Sequence, residues 1–150
     1  MNKFKLRKLN QTHKKILYKW HNLKSVTKNS LKGKKVNIIE HNKWFSKQLV
    51  SRNLIKIIYV GKSPAGVIRL EKKNSFYLLS YMIAPKYRRK GIAYKAIKQL
   101  ISNLNEKRIK KVVAIVKKKN IPSLKIFHKL EFEKTPEFEN RNFLKFIYKI

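Results

Sequence analysis

Phe76-Tyr-Leu-Leu-Ser-Tyr-Met-Ile83-Ala-Pro-Lys-Tyr-Arg88-Arg-Lys-Gly91-Ile-Ala93 joins a strand, a stop and a helix start in one stretch. Residues 75–83 read as a hydrophobic strand, Pro85 ends it, and a basic turn with Gly91 opens into a segment whose apolar positions Ala93, Ala96, Ile97, Leu100, Ile101 and Leu104 recur at helical spacing. The first amides of a helix lack intrahelical partners and sit at the positive end of its dipole, so they bind anionic oxygens. Gly91 lets a ligand approach the backbone of Ile92 and Ala93, and Arg88, Arg89 and Lys90 add positive charge. The stretch predicts a pyrophosphate cradle over residues 88–93. An ordinary strand-to-helix turn with a solvated basic edge would use the same residue types, so the rest of the chain has to separate the two.

Outward from this stretch, a strand is expected near 3–9, then helices near 11–23 and 37–51 joined by a polar stretch containing Gly33. Strand-like runs at 55–61 and 65–72 flank the turn Gly61-Lys-Ser-Pro64. After the helix near 91–104 come a short strand, Val112-Val-Ala-Ile-Val116, a helix over 120–130 and a closing strand over 143–150. The order β-α-α-β-β-β-α-β-α-β-β predicts an α/β fold, a mixed sheet with helices on both faces, and residues 1–150 as one domain.

Composition narrows the chemistry. The chain has no Cys, hence no disulfide framework and no thiolate nucleophile, and its four His, at 13, 21, 41 and 128, show no metal-ligand spacing. The N-terminus alternates like a strand and lacks the apolar core of a signal peptide, and no segment approaches the ~20 apolar residues of a membrane helix, so a soluble cytoplasmic protein is expected. The net charge is +32, but Lys and Arg are spread from end to end, a pattern attributed mainly to an AT-rich coding sequence. A nucleic-acid binder would concentrate Arg and aromatic residues in one patch, so nucleic acid is not the expected partner. Such a field still attracts phosphorylated ligands and makes their binding salt-sensitive.

The segment Asn120-Ile-Pro-Ser123-Leu-Lys-Ile-Phe127-His-Lys-Leu-Glu-Phe132 supplies a second signature. By itself it is a helix start, with Asn120 as N-cap, Pro122 in the first turn and Ser123 at the third position. It also resembles the N-x-x-S-x-x-x-[F/Y]-x-x-x-G-F segment of the GNAT N-acetyltransferases, just as Arg88-x-x-Gly91-x-Ala93 resembles their [Q/R]-x-x-G-x-[G/A] loop. The element order matches that family from end to end. The resemblance implies the GNAT fold, a mixed sheet of about seven strands flanked by four helices, with acetyl-CoA as co-substrate and no metal. It places acetyl-CoA between the strands ending at Ile83 and starting at Val112, with the pyrophosphate on the amides of 89–93. Backbone amides near Met82 and Ile83 would orient the pantetheine and polarise the thioester carbonyl, Asn120 would meet the pantetheine arm, and Ser123 and Phe127 would flank the coenzyme. Two positions depart from the pattern: Glu131 replaces the Gly of the G-F pair, and Phe127 stands where many relatives carry a Tyr as general acid. Phenylalanine cannot donate a proton. Solvent, His128 or another hydroxyl such as Tyr81 remain, or no dedicated acid is required, which is the reading favoured because a thiolate is a moderately good leaving group.

Trp20-His-Asn22, Val26, Ser30, Glu40-His41-x-x-Trp44-Phe45 and Gly66-x-x-Arg69 resemble a GNAT subgroup that acetylates the 4-amino group of a UDP-linked amino sugar in pseudaminic-acid biosynthesis. The resemblance implies a small amine acceptor, a nucleotide-linked amino sugar, with Trp44, Arg69 and Tyr81 at its site. On a helix over 37–51, Ile38, His41 and Phe45 share one stripe and Glu40 and Trp44 the next. His41 or Glu40 is the candidate base, since the strands near the cleft offer no carboxylate except Glu71. Equally, Asn37-x-x-Glu40 reads as a capping box, His41 as a satisfied half-buried histidine, and Trp44 and Phe45 as core. Acetylation of a ribosomal protein N-terminus is the neighbouring alternative, and a basic RNA- or ribosome-binding module with a vestigial coenzyme site is the alternative of another class. An open edge strand at the C-terminus would allow a homodimer.

Overall fold

A computed structural model describes residues 3–104, 108–135 and 140–150. Its strands are β1 (Phe4–Lys8), β2 (Leu54–Val60), β3 (Ser63–Lys72), β4 (Tyr77–Ile83), β5 (Lys111–Lys117), β6 (Glu133–Thr135) and β7 (Phe143–Lys149). The helices are α1 (Lys14–His21), α2 (Lys24–Thr27), α3 (Ile38–Val50), α4 (Ile92–Ser102) and α5 (Ile121–Lys129). The strands form one mixed sheet in the order β1-β2-β3-β4-β5-β7-β6.

The sheet has the expected size, but five helices rather than four flank it among the described residues. The addition is α2, a single turn too short to leave a periodic signal in sequence. The helix expected over 11–23 begins later, at Lys14, after a 3₁₀ turn in which Asn10 accepts from the Thr12 amide and its own amide donates to His13 Nδ1. His13 fills the reciprocal place that Glu or Gln takes in an ordinary capping box. At the C-terminus β7 is not an edge: β6 pairs with it, leaving β1 and β6 as the edge strands.

Strand alternation divides the core in two. On one face Ile68, Leu70, Tyr77, Leu79 and Ile83 pack against Ile92, Ala93, Ala96, Ile97 and Leu100 of α4 and Phe127 of α5. On the other, Ile55, Ile57, Val67 and Met82 pack against Leu17 and Trp20 of α1 and Phe45 of α3.

One departure from a regular sheet positions everything that follows. β4 and β5 are parallel but pair only at Tyr77↔Val112, Leu78↔Val113 and Leu79↔Ala114. Beyond Leu79, β4 continues along β3 to Ile83, while β5 follows β7 to Lys117. The accumulated twist of two diverging strand pairs opens a fork at their carboxyl ends. The loop carrying Gly91 and the cap residue Asn120 follow those two ends.

Gly66 holds β3 close to the arm of the fork. A Cβ there would lie 2.4 Å from the Met82 carbonyl oxygen and 3.2 Å from Ile83 Cα, both backbone atoms that cannot rotate away. Gly66→Ala is therefore expected to destabilise the fold by about 1–3 kcal/mol, as overpacking does, and to weaken acetyl-CoA binding by moving β4. Urea unfolding with and without acetyl-CoA checks both effects.

Candidate active site

The loop between β4 and α4 is wound for anion binding. Arg89 and Gly91 both adopt left-handed backbone, φ +62° and +73°, on either side of Lys90. Gly91 is the N-cap of α4 and contributes no side-chain cap, so the first amides of the helix stay available. A Cβ on Gly91 would meet no protein atom within 4 Å, which leaves that approach open to a ligand. Lys90 and Arg89 are exposed, with Lys90 Nζ 5.9 Å from the Tyr87 ring centroid. Arg88 is turned elsewhere: its Nε donates to the Ile83 carbonyl at 2.8 Å and its Nη2 to Ser25 Oγ at 3.0 Å. Its guanidinium ties the end of β4 to α2, a tertiary role that spacing alone does not disclose.

The bond from Arg88 also fixes how β4 presents its backbone. The Met82 carbonyl lies against Gly66 on β3, and the Ile83 carbonyl faces the other way, toward Arg88. Strand alternation gives the amides the same sense, so Ile83 turns its N–H into the fork and Met82 turns its own toward β3.

Across the fork, Asn120 caps α5, accepting from the Ser123 amide at 3.4 Å. Ser123 is buried, and its Oγ is 2.5 Å from the Tyr81 hydroxyl of β4. The two hydroxyls bridge β4 and α5 where the strands have parted. Burial raises the Tyr81 pKa above its ordinary value, with the Ser123 hydrogen bond acting weakly the other way. Phe127, 2% exposed, packs between Tyr81 and the rings of Phe132 and Phe146 and sets the orientation of the Tyr81 ring. His128 is exposed on α5.

On the opposite face of the sheet, the residues of α1 and α3 expected at the acceptor are brought together unequally. Glu40 sits at the exposed start of α3, where its carboxylate accepts from Asn37 Nδ2 at 2.9 Å and its amide donates to Asn37 Oδ1 at 2.8 Å. It holds the helix start and does not reach the fork. His41 is 1% exposed; its Nε2 lies 2.9 Å from the Lys14 carbonyl, which can only accept, so Nε2 carries the proton. Its Nδ1 is buried with no partner. Ile38, expected on the His41 stripe, is 51% exposed, because the first turn of α3 overhangs the sheet. Trp44 is half-buried beside His41, and Arg69 Cζ lies 5.6 Å from its ring centroid. Asn22 pins the chain before α3, exchanging hydrogen bonds of 2.9 and 2.7 Å with the Val36 backbone.

His21, the last residue of α1, completes this corner and was not singled out by its sequence context. Its ring stands edge-on to Trp44 at 5.1 Å and 5.9 Å from that of His41. Burial, then the charge of Arg69 and then His41, lower its pKa to about 4. His13, buried with Nε2 against the Tyr59 hydroxyl at 2.8 Å, is lowered by burial and by Arg7. Both imidazoles fold neutral, so their contribution is complete above the unfolded pKa near 6.5 and is lost as pH falls toward the folded value. For His21 the loss falls between pH 6.5 and about 4 and reaches up to about 3 kcal/mol. Thermal melts should therefore fall across that window, and His21→Asn should flatten the curve there.

A strand fork, a helix start open to phosphate and a polar bridge across the gap are what a transferase site for a phosphorylated donor requires. The acetyltransferase (GNAT) domain family matches residues 3–133, and the chain belongs to that family. It is an acetyl-CoA-dependent N-acetyltransferase, with acetyl-CoA as co-substrate. Solved structures with the same fold include a domain from Methanocaldococcus jannaschii, 19% identical over 100% of both chains with a TM-score of 0.89. Spermidine N-acetyltransferase from Vibrio cholerae, solved with CoA and spermine, is 15% identical over 97% of this chain and 95% of its own, with a TM-score of 0.82. The Campylobacter jejuni N-acetyltransferase PseH, solved with acetyl coenzyme A, is 18% identical over 98% and 99%, with a TM-score of 0.71. No curated protein sequence matches the chain. Among the described residues no helix is long and apolar enough to cross a membrane, and no group of His, Cys, Asp or Glu could hold a metal ion.

Proposed function

We propose that the chain acetylates the 4-amino group of a nucleotide-linked amino sugar. The observation that carries this reading is the acceptor-side corner: an indole, Trp44, with a guanidinium over its face and a neutral His21 at its edge, on the helices that wall the sheet opposite α4 and α5. An indole face suits a sugar ring, and a cationic corner in a chain of charge +32 disfavours a polyamine. The resemblance in residues 20–69 to amino-sugar acetyltransferases supports the same acceptor.

Acetyl-CoA supplies an acetyl thioester to the acceptor nitrogen. The residues of this chain do the rest. The amides at the start of α4 hold the pyrophosphate, and the Ile83 amide faces the fork where it polarises the thioester carbonyl. The attacking amine must be neutral. With Glu40 engaged by Asn37, His41 buried and Glu71 bonded to Lys73 at 2.8 Å, the corner offers only weakly basic His21, so the amine arrives already deprotonated from solvent. The departing sulfur takes its proton from the Tyr81 hydroxyl, which Ser123 Oγ orients; the acylated nitrogen sheds its surplus proton to solvent, and the tyrosinate is reprotonated from solvent.

Turnover of acetyl-CoA against UDP-linked amino sugars and N-terminal peptides tests the acceptor. The expected result is N-acetylation of one nucleotide-linked sugar, with kcat/KM rising through the pKa of the acceptor amine and no inflection between pH 6 and 7. Turnover on peptides alone would replace the sugar and leave the acetyltransferase intact.

A further inference from the structure

Arg69 is a buried charge with no ion-pair partner among the described carboxylates, although Glu71 on its own strand partly offsets the effect of burial. It lies on β3 opposite Ser80 of β4, on the face covered by α1 and α3. Burial lowers its pKa, and its Nε is buried with no hydrogen-bond partner. Glu71, two residues along the same face, pairs instead with Lys73, and no described carboxylate forms an ion pair with Arg69. The groups around the guanidinium are His21 from α1, Trp44 from α3 and Glu71 from its own strand, with His41 behind His21.

A desolvated cation with an unfilled hydrogen-bonding edge is unfavourable unless an anion occupies that edge for part of the working cycle. Arg69 Cζ lies over the Trp44 ring, 5.6 Å from its centroid, and the buried Nε has no partner. A guanidinium edge matches two oxygens of a phosphate. Ser80, directly across the register, is exposed, so this part of the sheet is not roofed by the helices. His21 is held neutral here, so it adds no second charge beside the guanidinium and offers a ring nitrogen to hydrogen-bond.

We infer that Arg69, backed by Trp44 and His21, is an anion subsite for the acceptor and takes its diphosphate, so that the acceptor is recognised by phosphate as well as by its amine. This rests on the reading that the acceptor occupies the α1/α3 face, and it adds a specificity residue to that reading.

The test compares wild type with Arg69→Gln and Arg69→Lys on a UDP-linked amino sugar and on the same amino sugar without its nucleotide. In Arg69→Gln, KM for the UDP-linked sugar should rise about thirtyfold more than KM for the free sugar, at unchanged KM for acetyl-CoA. Arg69→Lys should recover part of the difference, because a lysine keeps the charge but not the two-pronged geometry. Equal losses on both acceptors would show a merely structural residue and overturn the inference. A second measurement is independent of turnover. With CoA saturating the coenzyme site, UDP alone should shift the Trp44 indole NMR signal in wild type and not in Arg69→Gln. If no amino sugar is acetylated but UDP still shifts Trp44, the subsite stands and the sugar assignment fails. No shift in wild type removes the subsite.

Discussion

Gly91→Asp should lose acetyl-CoA binding by at least about a thousandfold while remaining folded. One effect falls on the fold and the other on the complex. A non-glycine residue at φ +73° costs about 1–2 kcal/mol of backbone strain, borne by the free protein. The larger effect falls on the complex: a carboxylate about 4 Å from a pyrophosphate oxygen repels it by about 4 kcal/mol at an effective dielectric constant near 20. That repulsion alone is close to a thousandfold in Kd. The Cβ of the added side chain finds no atom beyond its chain neighbours within 4 Å, so it forces no clash on the fold, and the melting curves separate a loss of ligand from a loss of fold. Gly91→Ala separates the contributions: it carries the strain without the charge and should weaken binding far less. Titration calorimetry of the three proteins with acetyl-CoA, alongside their melting curves, measures the difference.

Tyr81→Phe should lower kcat by about 10²-fold with little change in KM for acetyl-CoA. The ring keeps its packing on Phe127, and only the hydroxyl bonded to Ser123 is lost. Ser123→Ala should have a smaller effect of the same kind, because it removes the partner that orients the proton and not the donor. A parallel fall in acetyl-CoA affinity would assign the bridge to holding the coenzyme instead. Here the structure changes the weight of an expectation. With phenylalanine at 127, the simplest sequence reading is that the thiolate leaves unassisted. The fork instead presents two hydroxyls within hydrogen-bonding distance across the gap, one on β4 and one on α5, which no spacing within either element would reveal.

The elements themselves were readable because their periods are strong. β4 and α4 carry continuous or helical apolar patterns, and each forms within two residues of where those patterns place it. What could not be read is set by tertiary pairing. Three residue pairs, and no more, join β4 to β5, and the fork follows from where each strand finds its other neighbour. Arg88 looks like a phosphate ligand from its spacing and is drawn off by a carbonyl and a serine far away in the chain. Glu40 and His41 stand beside each other in sequence, yet one faces solvent as a cap and the other is enclosed between α1 and α3. His21 had no local signal at all, because its neutrality comes first from burial between elements and then from an arginine on a distant strand.

The central claim, that the fork is a working acetyl-CoA site serving an amine on the α1/α3 face, is tested most directly by thiol release from acetyl-CoA by the wild-type protein, with and without a UDP-linked 4-amino sugar. Saturable release that requires the sugar, is stoichiometric with its N-acetyl product and vanishes in Gly91→Asp is the predicted result. Release at the same rate with and without any amine, or none with sugar, peptide and small-amine acceptors alike, would contradict it.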